Sequence, residues 1–68
     1  MIGDNIRRLM YENDYTQTEL ATRSECGKGD ISRYINNKVI PRIETLRKLS
    51  LALGVTVEDL VNGGKNVK

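Results

Sequence analysis

Only three residues, Glu25-Cys26-Gly27, separate two short helix signals in this chain. So tight a connection between two helices is a specific supersecondary pattern, and it limits how the rest can pack. Upstream of it, Thr16-Gln17-Thr18-Glu19 forms a capping box: the threonine hydroxyl bonds the amide of Glu19, and the glutamate reaches back. Leu20 and Ala21 supply the buried face of the helix that follows, which fades near Ser24. Downstream, a helix over Lys28 to Asn36 carries Ile31, Tyr34 and Ile35 as its apolar positions.

The flanking segments are also helical. Ile2, Ile6, Leu9 and Met10 form one apolar stripe over residues 2 to 12, ended by the turn chemistry of Asn13-Asp14. Asn36-Asn37-Lys38 stops the third helix, with Asn37 as its left-handed terminal residue. After Pro41, a fourth helix from Arg42 to Leu53 sets Ile43, Leu46, Leu49, Ala52 and Leu53 on one side, and Gly54 stands where a terminal glycine is expected. Thr56 caps a fifth helix with Asp59 three residues on and Val57, Leu60 and Val61 facing inward. The expected organisation is one all-α unit of five helices over residues 1–62, followed by a frayed polar tail at 63–68.

Composition removes several function classes. At 68 residues the chain is a single small domain, with no room for a deep substrate cleft beside a core. Histidine is absent, so the usual general base and the commonest metal ligand are missing. The single cysteine, Cys26, precludes an internal disulfide or a cysteine-based zinc cage. There are no paired carboxylates in an apolar setting and no glycine-rich phosphate loop, so the chain reads as a non-enzyme with no cofactor, metal or small-molecule ligand. No apolar run approaches a membrane span, and the start lacks the features of a secretory leader, which leads to an expected cytoplasmic location. Met1 and the polar tail carry the expectation of a complete small protein. Net charge is only +2, but it is uneven. Between Arg23 and Lys48, seven basic residues (Arg23, Lys28, Arg33, Lys38, Arg42, Arg47, Lys48) face three acidic ones (Glu25, Asp30, Glu44), as on a polyanion-binding face.

Four stretches carry a family resemblance: Tyr15-Thr16-Gln17-Thr18-Glu19-Leu20-Ala21; Ile31-Ser32-Arg33-Tyr34-Ile35-Asn36-Asn37-Lys38; Pro41-Arg42-Ile43-Glu44-Thr45-Leu46; and Leu49 to Leu53 with Gly54-Val55-Thr56. In this order and without gaps they resemble the lambda-repressor-like helix-turn-helix domain of the Cro and Xre-type transcriptional regulators, over residues 2 to about 62. The resemblance implies a five-helix globule in which the second and third helices read double-stranded DNA. The third would lie in the major groove with its first turn against base edges. Thr16 and Gln17 then correspond to phosphate contacts, and Asn36, Lys38 and Arg42 follow the third helix at positions that touch the backbone. Lys28, Gly29, Asp30, Ser32 and Arg33 occupy the DNA-facing positions. Lys28 or Arg33 suits guanine O6 and N7, although Arg33 suits phosphate equally. Asp30 suits either a cytosine amino group or the helix N-terminus. Ser32 suits base or phosphate, and Gly29 permits close approach.

Three residues depart from the family pattern. Glu25 stands where the turn commonly has glycine, Gly27 replaces a serine or threonine cap, and Ile35 occupies a usually polar place, where it joins the core or marks a contact surface. Cys26 reads as a structural plug of the turn, and Tyr11, Tyr15 and Tyr34 as packing residues. Val39-Ile40 is an unexpected apolar pair in a polar loop; with Val57, Leu60 and Val61 it suggests a two-fold homodimer interface. The expected function is a prokaryotic or phage repressor that binds a palindromic operator as a dimer. The alternatives are an antitoxin-type autoregulator and a protein-interaction module on the same fold.

Overall fold

A computed structural model of the chain describes residues 2–63 as five helices: α1 (Ile2–Glu12), α2 (Gln17–Ser24), α3 (Lys28–Ile35), α4 (Ile43–Leu53) and α5 (Val57–Asn62). Among the described residues there is no strand. The principal packing pairs are α1 with α3, α3 with α2, α2 with α4, α4 with α5, and α5 with α1, which close into a ring. Each helix sends one aliphatic side chain to the centre of that ring. Ile6, Leu20, Ile31, Leu49 and Leu60 are all 0% exposed. Met10, Ala21, Ile35, Leu46 and Leu53 surround them, and Ser24, the one fully buried polar side chain among the described residues, donates its hydroxyl to the Leu20 carbonyl at 2.6 Å.

The helix ends follow local chemistry. Thr16 Oγ accepts from the Glu19 amide at 3.1 Å, while Glu19 Oε1 accepts from the Thr16 amide at 2.9 Å, so the capping box is complete. Thr56 and Asp59 repeat it at α5. Asp14, Glu25 and Asn37 adopt left-handed backbone, with φ near 60° in each case (58°, 61° and 58°). At Glu25 this reverses the chain so that the Cys26 amide closes onto the Ala21 carbonyl at 3.0 Å. A left-handed glutamate costs roughly 1–2 kcal/mol, so the turn that lacks glycine is made under strain.

The α1–α3 junction is fastened at the C-terminal end of α3, by bonds given in both directions. Asn37 Oδ1 accepts from the Gly3 amide at 3.0 Å, and Asn37 Nδ2 donates to Asp4 Oδ1 at 3.3 Å. In return, Arg7 Nη2 donates to the Ile35 carbonyl at 2.8 Å and to Asn36 Oδ1 at 3.4 Å. The Asn5 and Arg8 side chains tie α1 to α5, by bonds to the Leu60 and Gly63 carbonyls respectively. Gly63 is buried and ends α5 with φ 89°, so the folded unit reaches one residue past the expected boundary. The rest of the tail lies outside the described residues.

Several side chains depart from the expected pattern. Ile43 is 54% exposed, because a side chain at the first residue of a helix leans back past the helix end rather than onto the core. Tyr11 is 84% exposed, about 100° around α1 from the buried Met10. Val61 is likewise turned outward, next to Leu60, which takes the inward position of the short α5. Leu60 is therefore core, and it leaves the candidate dimer surface. Ile35 is buried, which settles its place in the core.

At Gly3 the backbones of α1 and α3 come close together. A Cβ there would lie 2.3 Å from the Tyr34 carbonyl oxygen and 2.5 Å from Asn37 Oδ1. Gly3→Ala is expected to lower unfolding free energy by about 1–3 kcal/mol, as overpacking does, despite alanine's better helix propensity. Urea denaturation followed by circular dichroism measures it. An unchanged or raised midpoint would contradict the close approach.

Candidate nucleic-acid interface

The two buried isoleucines of α3, Ile31 and Ile35, fix which of its sides faces out. Four residues apart, they hold one stripe against the core, and Gly29, Asp30 and Arg33 are exposed on the side turned away from it. Lys28, on the stripe's own side, is exposed because the first residue of a helix overhangs its end, and Ser32 is half-buried at the stripe's edge. Tyr34 packs against the core from the flank. Of the five residues expected to read bases, Gly29, Asp30 and Arg33 share the outward side of α3, with Lys28 at its N-terminal end and Ser32 at its margin.

That face begins at a helix N-terminus that no side chain closes. Gly27 is the N-cap of α3 and makes no side-chain cap bond, so the first-turn amides point outward with the positive end of the helix dipole. Lys28 adds a full positive charge there. Arg33 folds back toward the same end: its Nη2 lies 3.1 Å from Asp30 Oδ1, and both side chains stay about half exposed. Asp30 thus pairs with Arg33.

The start of α2 is a second helix N-terminus, closed by its capping box. Thr16 is exposed, and its oxygen accepts the Glu19 amide, so its hydroxyl proton is what it has to donate outward. Gln17, the first residue of α2, is half-buried. Cys26 is half-buried beneath the turn, packed against the core with Sγ 3.6 Å from the Ser24 carbonyl oxygen, as a plug would be. Beside α2, the Arg23 guanidinium stacks 4.7 Å from the centroid of Tyr15. Tyr15 is accordingly a rim residue.

Beyond α3, Asn36 is tied inward. Its Nδ2 donates to the Ser32 carbonyl at 2.8 Å and to Ser32 Oγ at 3.4 Å, while its Oδ1 takes the bond from Arg7. Lys38 and Arg42 are exposed on the following loop, Arg42 as the N-cap residue of α4. Nothing in the sequence singles out Arg7. It joins α3 through a backbone carbonyl, a partner that no side-chain pattern announces.

The apolar loop pair lies elsewhere. Val39 (46% exposed) and Ile40 (77% exposed) line a groove of about 310 Å³ with Ile2, Gly3, Asn37 and Val61. Val57 is half-buried and packs against the core, away from this lining.

Comparison with known proteins agrees with this architecture. Residues 6–60 match the helix-turn-helix family model. The chain is 34% identical over 62 residues to the cryptic phage CTXphi transcriptional repressor RstR of Vibrio cholerae; the match takes in 91% of this chain and 56% of the repressor, so this chain spans little more than half of that relative. It superposes on the crystal structure of SinR, the master regulator for biofilm formation, in complex with DNA, with a TM-score of 0.86 and 34% identity over 90% of this chain and 98% of that one. The N-terminal DNA-binding domain of SinR from Bacillus subtilis matches with a TM-score of 0.88 and 31% identity, over 97% of each chain. Five helices closed around one core, a tight α2–α3 turn and these matches assign the chain to the Xre-type helix-turn-helix family of DNA-binding transcription regulators.

Proposed function

We propose that this chain binds operator DNA as a transcriptional repressor, with α3 in the major groove and the N-termini of α2 and α3 against phosphate. The observation that carries the reading is the polar outward side of α3: burial of Ile31 and Ile35 turns Gly29, Asp30 and Arg33 outward, while Lys28 overhangs the N-terminal end and Ser32 lines the margin. A reading helix needs polar donors and acceptors on the side turned to base edges and an apolar stripe behind them. Thr16, Gln17, Lys38 and Arg42 serve the flanking phosphates. Asn36 contributes less directly, since its amide is already engaged by Arg7 and Ser32. Among the described residues no helix is long and apolar enough to cross a membrane, in keeping with a regulator that works on DNA in the cytoplasm.

A two-fold homodimer on a palindromic operator completes the proposal. The groove of Ile2, Val39, Ile40 and Val61 is its contact surface. Adjacent exposed apolar side chains on a chain this small are what a self-complementary patch requires, and dimerisation would set two α3 helices about 34 Å apart along the duplex.

Binding is tested by selecting duplexes from a random pool and measuring affinity across a salt series. A near-palindromic site with a steep salt slope is expected. Gln17→Ala should weaken binding to every sequence by about 1.5–3 kcal/mol, the range for a hydrogen bond to a charged group. Absence of binding to any duplex at low salt would reject the reading. For the dimer, sedimentation of a Val39→Asp, Ile40→Asp variant should give a monomer; an unchanged dimer would remove this patch from the interface.

A further inference from the structure

The pairing of Asp30 with Arg33 bears on which of the two roles Arg33 takes. We infer that Asp30 and Arg33 act as one unit that reads a G·C pair, with Arg33 donating to guanine and Asp30 positioning it and accepting from cytosine. The inference rests on the DNA-binding reading above and deepens it to a residue and a base pair.

Three observations on α3 support it. Arg33 Nη2 lies 3.1 Å from Asp30 Oδ1, one turn back along the helix, so the guanidinium is aimed at the N-terminal turn, the end that meets base edges. Beneath it is Gly29: a Cβ there would sit 3.5 Å from Arg33 Nη1, so the guanidinium lies over the bare α-carbon. Both charged side chains remain about half exposed, so the pair is presented to a ligand and not sealed in the protein.

Charge then separates the candidate ligands. A phosphate approaching Arg33 meets the Asp30 carboxylate alongside and is repelled by it. Guanine O6 and N7 are neutral acceptors and carry no such penalty. The guanidinium has five donors, of which the bond to Asp30 engages one, so it can still make the bidentate bond to guanine. The carboxylate retains a second oxygen, and the cytosine N4 amino group next to guanine O6 is the donor it suits. Side by side, the pair presents donor then acceptor, the complement of the G·C edge.

The test compares the unaltered protein with Arg33→Ala, Asp30→Ala and Asp30→Asn on the selected duplex, on every single-base variant of it, and on the duplex carrying 7-deazaguanine at the guanine in question. Unfolding midpoints are measured alongside to normalise for folding. Arg33→Ala is expected to remove preference at one G·C pair, reducing discrimination there by about tenfold, and to be indifferent to 7-deazaguanine, which weakens the unaltered protein. Asp30→Ala should reduce discrimination at that same pair while raising affinity for unrelated duplex, because a negative charge near DNA is gone. Asp30→Asn, which keeps an oxygen acceptor, should retain more discrimination than Asp30→Ala. If Arg33→Ala weakens all sequences equally and leaves every base preference intact, Arg33 is a phosphate contact and the inference fails. It fails equally if Asp30→Ala raises all affinities by one factor with discrimination unchanged. Failure of the unaltered protein to bind any duplex would instead overturn the DNA-binding reading itself.

Discussion

α3 is eight residues long, and a helix of that length does not hold itself together in water. Its first turn has a glycine cap with no side-chain bond, so capping adds little at that end. The other end is where it is fastened. Arg7 donates from α1 to the Ile35 carbonyl, and Asn37 returns the bond by accepting the Gly3 amide. Each bond satisfies a group that a helix end leaves unpaired, and a cation at the C-terminus of α3 also complements the helix dipole. The bareness of Gly3 lets the two backbones approach closely enough for this exchange. With Ile31 and Ile35 seated in the core, the clasp fixes both the rotation of α3 and its position along its axis.

This arrangement divides the chain between two tasks. The five central aliphatic side chains, one from each helix, make the ring of contacts close. Polar side chains of α3 are left to face outward, and two glycines, Gly27 and Gly29, stand at the end that would meet DNA. Gly29 lowers helix stability there, and a Cβ on it would meet nothing closer than ordinary van der Waals contact. The fold itself does not require Gly29.

Much of this was legible in the sequence because it is local. The Thr16 and Thr56 caps depend on residues three apart, and the apolar stripes depend on spacings of three and four. The left-handed backbone at Asn37 and Gly54 follows from residue type at a helix end. Ile43 and Val61 depart from expectation because periodicity averages over a helix and loses meaning at its ends, where a side chain overhangs the core. Arg7 with Ile35, and Arg23 with Tyr15, were not legible: one partner is a backbone carbonyl and the other depends on how the chain turns between α1 and α2. The outward set on α3 came from the family resemblance, and burial of Ile31 and Ile35 gives Gly29, Asp30 and Arg33 a physical cause for facing out. The pairing within that set, Asp30 with Arg33, needed coordinates.

The central claim is that the N-terminal turns of α2 and α3 form the DNA surface while the α1–α3 clasp stays closed behind them. Backbone amide NMR during titration with a bound duplex tests it most directly. The account predicts that shift changes concentrate at residues 16–19 and 27–33, with the Gly3 amide, bonded to Asn37, nearly unmoved. Changes centred on α4 and α5, or a large shift at Gly3, would contradict it.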